Sequence, residues 1–143
     1  MHIDQLDHLV LTVRDLAATT AFYVDVLGME AVTFGRGRLA LLFGAQKINL
    51  HEFGREPTPR SAKPTPGSAD LCLLTRTPMN EVVEHLRSRG VAVIDGPVKR
   101  TGATGPILSV YVRDPDGNLV EISNALEPTG PPIPASPHYL DED

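Results

Sequence analysis

The sequence predicts an α+β protein made of two βαβββ modules. Three observations carry that reading. A strand–helix–three-strand order occurs twice, a proline-rich joint separates the two runs, and each run contains one apolar helical stripe that ends at a glycine. The 143 residues suit one compact domain, or two half-domains sharing a core.

The first strand is expected over Leu6–Val13, where aliphatic and β-branched residues run up to Arg14-Asp15. Asp15 then caps a helix whose stripe is Leu16, Phe22, Tyr23, Val26 and Leu27, with Gly28 as terminator. Strands come next at Ala31–Phe34, Arg38–Phe43 and Lys47–Phe53, parted by glycine turns. Gly54–Ser68 holds four prolines and few apolar residues, and reads as an extended linker. The second run opens with a strand at Asp70–Thr75. A helix comes after it, with Thr77 as N-cap, Pro78 at its first position and Gly90 at its end. Strands at Val91–Asp95, Ile107–Arg113 and Leu119–Ser123 complete it, the last two joined by an Asp114-Pro-Asp-Gly117 turn. Module one is thus placed at residues 4–54, the linker at 55–68 and module two at 69–125 of one domain spanning 1–127. A proline-rich, acidic tail at 128–143 lies outside the core.

The net charge of -5 and the absence of a basic run argue against nucleic acid as a partner. No apolar run is long enough to span a bilayer, and acids stand where a signal peptide carries basic residues. Cys72 is the single cysteine, which rules out an internal disulfide and a thiolate cluster. A cytoplasmic protein is expected.

Aligning the halves sets His8 opposite Asp70, near the start of each first strand, and His51 opposite Glu121, in each last strand. Two neutral imidazoles and two carboxylates balance a divalent ion, and such a set suits Zn, Ni, Fe or Mn. Glu121 interrupts the apolar run Leu119–Ile122 and needs a partner if it points inward. Alternation groups Leu119, Glu121 and Ser123 on one face and Val120 and Ile122 on the other, and leaves open which face is core. Cys72 is expected to be buried in its strand and His85 solvated on its helix. Arg36, Arg38, Lys99 and Arg100 are cations available to an anionic substrate, and His2 and His138 are incidental to the chemistry.

The stretches DHLVLTVRDLAATTAFYVDVLGME and VRDPDGNLVEIS resemble the vicinal oxygen chelate superfamily over about residues 4–124. That superfamily includes glyoxalase I, extradiol dioxygenases and the bleomycin- and fosfomycin-resistance proteins. The chain is most similar to its glyoxalase-domain, virulence-associated branch. The resemblance implies curled mixed sheets forming a cleft, one divalent metal on His8, His51, Asp70 and Glu121, a small-molecule substrate, no membrane and a homodimer. It further implies a glyoxalase I-like lyase or isomerase acting through a metal-chelated enediolate, with Glu121 as the catalytic base. Many members carry His or Glu where Asp70 stands. Without Asp70, the set His8, His51 and Glu121 has the composition of an Fe(II) extradiol-type dioxygenase. A non-enzymatic drug-binding cleft is the third reading.

Overall fold

The computed structural model describes residues 1–126, so the expected tail falls outside the described residues. The elements in chain order are β1 (His8–Val13), α1 (Leu16–Ala21), a π-helical turn (Phe22–Val26), β2 (Glu30–Phe34), β3 (Arg38–Phe43), β4 (Gln46–Glu52), β5 (Asp70–Leu74), α2 (Met79–Ser88), β6 (Asp95–Thr101), β7 (Pro106–Arg113) and β8 (Leu119–Ala125). They form two four-stranded sheets of identical topology, β1-β4-β3-β2 and β5-β8-β7-β6. In each sheet the first strand lies parallel to the last, and the other pairings are antiparallel. This is the α+β architecture of two βαβββ modules that the repeat predicts. The described residues divide into two compact units, Met1–Ala69 with Asp114–Asn118, and Asp70–Arg113 with residues 119–126.

In the first unit, alternation along β1 puts Leu9, Leu11 and Val13 on one face, in register with Ile48 and Leu50 of β4. Leu11, Val13, Leu41 and Ile48 are buried there. The Asp15 carboxylate caps α1 by accepting from Ala18 N at 3.1 Å. The helix widens after one and a half turns into the π-turn, and this buries Tyr23 completely. Gly28, at φ 75°, closes the segment in the left-handed conformation.

The Asp114–Asn118 segment is more than a turn. Asp114 and Asn118 are only 5% and 1% exposed. The Asp114 carboxylate accepts from the Tyr23 hydroxyl at 2.9 Å, from Asn118 Nδ2 at 2.7 Å, and from the backbone N–H groups of Asp116 and Asn118 at 2.9 Å. Asn118 Oδ1 in turn accepts from Ala69 N at 2.8 Å. A buried carboxylate is tolerable because these donors replace its water. Burial, followed by the neighbouring Asp114, pushes the Tyr23 phenol well above its ordinary range.

In the second unit, Met79, Val82 and Leu86 of α2 are buried, as are Val110, Val112, Val120 and Ile122 on one face of the sheet. Two expectations change. Pro78, not Thr77, occupies the N-cap position and gives no side-chain cap; Thr75 Oγ1 instead accepts from Thr77 N at 3.1 Å. The segment 91–94 is not a strand, and β6 begins at Asp95. Its register slips between Asp95 and Val98, where Gly96-Pro97 makes a bulge. Among the described residues, no helix is long and apolar enough to cross a membrane.

Candidate active site

Strand register decides where Glu121 points. On β8, Val120 and Ile122 face the buried side, so Glu121 and Ser123 occupy the opposite face. Glu121 pairs with Tyr111 of β7 on one side and Cys72 of β5 on the other. Ser123 pairs with Ser109 and Leu74 in the next row. Asp70 pairs with Leu119, one row away on the same face as Cys72, and is therefore a diagonal neighbour of Glu121.

A directional chain of hydrogen bonds runs through these rows. Ser109 Oγ donates to Glu121 Oε2 at 2.6 Å. Ser109 and Ser123 Oγ lie 2.6 Å apart, and Ser123 Oγ is 3.3 Å from Cys72 Sγ. A hydroxyl carries one proton, and that of Ser109 is committed to Glu121. Ser123 therefore donates to Ser109, and the Cys72 thiol takes the donor's part toward Ser123. The thiol is suited to it: although the residue is exposed at the cavity, its part-buried sulfur is desolvated enough to raise its pKa above the ordinary value, against the opposing Ser123 contact. On the other flank, Arg100 Nε donates to the Tyr111 hydroxyl at 3.0 Å. Burial holds the Tyr111 pKa above its ordinary value; Arg100 opposes the shift and Glu121 adds to it.

These side chains open onto a cavity of about 590 Å³ within the second unit. Glu121, Tyr111, Cys72 and Arg100 line its polar part, Leu74 and Ile107 its apolar part, and the loop 101–105 its rim. The loop is closed by a Gly102 N–H to Gly105 carbonyl bond of 2.8 Å. Cys72, expected to be buried, is exposed and lines the cavity, because it shares the face of Glu121.

The two histidines lie on the first unit. His8 pairs with Lys47, and His51 pairs with Thr12. They share a sheet face but stand four residues apart along parallel strands, roughly 13 Å at the usual rise. Counting rows from His8 as from Asp70, the position matching Glu121 is Asn49, not His51. His8 is exposed and meets Asp7 through Nδ1 at 2.8 Å. His51 is 8% exposed, and its Nε2 has no partner, like Asn49 Oδ1 on the same face. Burial and then the Arg38 cation lower the His51 pKa. Among the described residues, no three His, Cys, Asp or Glu gather closely enough to hold a metal ion.

Sequence reasoning did not single out Tyr111, Ser109 or Ser123. Counting outward from an Asp114–Gly117 turn sets Tyr111 opposite Val120 and misses by one. Only with Asn118 included in the bend, where Asp114 N donates to the Asn118 carbonyl at 3.1 Å, does Tyr111 fall opposite Glu121 and Ser109 opposite Ser123.

Residues 5–122 match the family model described as the Glyoxalase/Bleomycin resistance protein/Dioxygenase superfamily. Virulence protein STM3117 of Salmonella typhimurium is 59% identical over 123 residues, which cover 86% of this chain and 85% of that protein. Its crystal structure matches with a TM-score of 0.87 over 88% of this chain and 100% of the other, at 58% identity. Glyoxalase domain-containing protein RDO1 of Mycosarcoma maydis is 52% identical over 124 residues, 87% of this chain and 70% of that protein. A lactoylglutathione lyase structure from Agrobacterium tumefaciens, 26% identical, matches with a TM-score of 0.66 over 86% of this chain and 95% of the other.

Proposed function

Because the chain belongs to the Glyoxalase/Bleomycin resistance protein/Dioxygenase superfamily, we propose that it is a divalent-metal-dependent enzyme of the glyoxalase I-like lyase or isomerase type, with Glu121 as its general base. The observation that carries this reading is the Glu121 carboxylate facing the cavity while a buried serine hydroxyl holds one of its oxygens.

The donors fit a metal in part. Asp70 and Glu121 are diagonal neighbours on one face, and with one neutral imidazole they would neutralise a divalent ion. His8 is an exposed strand histidine of the first unit and the one whose row matches Asp70. We assign the metal to His8, Asp70 and Glu121, the imidazole coming from a second copy of the chain in a homodimer. His51, the fourth member of the expected quartet, is given a supporting place instead, since its register keeps it from sharing an ion with His8. The same separation disfavours the extradiol-type dioxygenase, which needs both histidines on one iron.

A bound divalent ion would polarise adjacent substrate oxygens as a Lewis acid. The chain's own residues then move the proton. Ser109 Oγ restrains Oε2 of Glu121, directing transfer from a carbon next to a carbonyl through the carboxylate's other oxygen. Tyr111, protonated at neutral pH, stands beside it as a donor. Sequestration of a small molecule without chemistry is a second reading, favoured by the apolar part of the cavity.

The test is elemental analysis after anaerobic purification, with hemithioacetal isomerisation and catechol cleavage assayed in parallel. Stoichiometric metal with isomerase turnover supports the proposal, and absence of metal overturns it. Glu121→Gln is expected to lower turnover by about 10²-fold or more. Asp70→Ala and His8→Ala are expected to lose metal that His51→Ala retains.

A further inference from the structure

We infer that the cavity of the second unit takes a small carboxylate, its anionic end held by Arg100 and its reacting carbon presented to Glu121. The role of Glu121 rests on the proposed enzymatic reading; the capture of the anion does not.

Arg100 and Glu121 are the charged residues lining this cavity, and they carry opposite signs. The guanidinium is held in place before any ligand arrives. Nε donates to the Tyr111 hydroxyl at 3.0 Å and Nη1 to the Lys99 carbonyl at 3.2 Å. These bonds use two of its five N–H groups and fix the plane of a fork whose geometry matches a carboxylate. The nearest counter-charge, Asp95, lies 3.7 Å from Nη2, with its side chain 63% exposed against 28% for Arg100. A solvent-screened pair of that length is a weak competitor, so a carboxylate entering the cavity displaces it.

Spacing limits the size of the guest. Arg100 Nε donates to the Tyr111 hydroxyl at 3.0 Å, and Tyr111 pairs directly with Glu121 across β7 and β8, so a single side chain separates the anion site from the base and the guest is short. The loop favours a short guest on its own side. A Cβ at Gly102 would press against the Gly105 carbonyl at 2.8 Å and Ile107 Cγ2 at 2.9 Å, so the wall there is backbone drawn tight against the sheet. The apolar remainder, Leu74, Ile107 and Ala125, offers nothing to a long polar substituent.

The experiment is calorimetric titration of the full chain with 2-oxobutyrate and with its uncharged methyl ester, before and after EDTA. The acid is expected to bind in both conditions, with the ester weaker by about tenfold or more. Arg100→Gln should weaken acid binding by a similar factor, Arg100→Lys by less, and Asp95→Asn should strengthen it. Melting curves establish that the variants are folded. Equal binding of acid and ester, or undiminished binding by Arg100→Gln, overturns the inference. So does loss of binding on EDTA treatment alone, which would mean that a metal and not Arg100 holds the anion. Acid binding that depends on Arg100 in a protein devoid of metal would leave this inference standing and remove the proposed metal enzyme.

Discussion

Ser109 and Ser123 are fully buried, yet they lie on the sheet face that bears the cavity rather than among the aliphatic residues of the other face. Their hydroxyls are spent on each other and on Glu121, so each depends on its neighbour for satisfaction. Ser109→Ala removes the donor to Oε2 and strips Ser123 of its acceptor. The expected cost is about 1–3 kcal/mol in urea unfolding, together with a drop in turnover that Ser109→Thr partly restores. His51 is a second residue whose surroundings have a measurable consequence. Burial depresses its pKa below the ordinary value of 6.5, so below that pH the unfolded chain binds more protons than the folded one. Stability is then lost as pH falls through 6.5 toward the folded-state value. Thermal melts from pH 7.5 down to pH 5 should show this decline, and His51→Gln should flatten it. A slope unchanged by the substitution would assign the effect elsewhere. At this scale the sequence was informative about which groups could ligate or titrate, and silent about levels. His51 reads as the partner of Glu121 because both sit in a closing strand, and only the pairing of β1 with β4 puts Asn49 at that level.

Among the elements, β6 shows why some structure was hidden. Its sequence, DGPVKRT, contains a Gly-Pro pair and two cations, all of which argue against a strand. The strand exists because Gly96 and Pro97 form a bulge that re-aims the rest of β6, turning Arg100 toward Tyr111. Gly96 sits at φ 92°, and a Cβ there would collide with the Ser109 carbonyl. Gly96→Ala is therefore expected to cost well over about 1 kcal/mol, because backbone strain and overlap add. Gly37→Ala, at φ 76° with open space around it, should cost only about 1 kcal/mol. Equal losses in the two variants, measured by urea titration, would show that the contact with β7 contributes nothing. By contrast, β1, β3, β7 and β8 were legible to within two residues, since alternating or continuous apolar runs bounded by turn residues define them. The Asp114–Gly117 turn was legible as a turn, whereas its second task, accepting from Tyr23 across 91 positions, has no local signature.

At the scale of the whole molecule, the repeat was readable because both halves keep one order of elements, and the sheets share one strand order. The proposed metal set divides differently, with His8 on one unit and Asp70 and Glu121 on the other. If two copies complete each site, His8→Ala and Glu121→Gln proteins should each be inactive alone. Unfolded together and refolded, half of the dimers are mixed and carry one intact site of two, so about a quarter of wild-type activity should return. No recovery in verified mixed dimers would confine the site to single chains. The knot of Asp114 and Asn118 has a consequence for taking the molecule apart. Its covalent place is the bend between β7 and β8, but its buried partner Tyr23 comes from the other side of the linker, and Ala69, which donates to Asn118, stands at the linker's end. A polypeptide severed in the linker would leave the strand that bears Glu121 hanging from a bend whose carboxylate had lost its phenol. Likeness of order is therefore no licence for separate expression: the second half repeats the first in topology yet relies on it for the phenol that its bend accepts from.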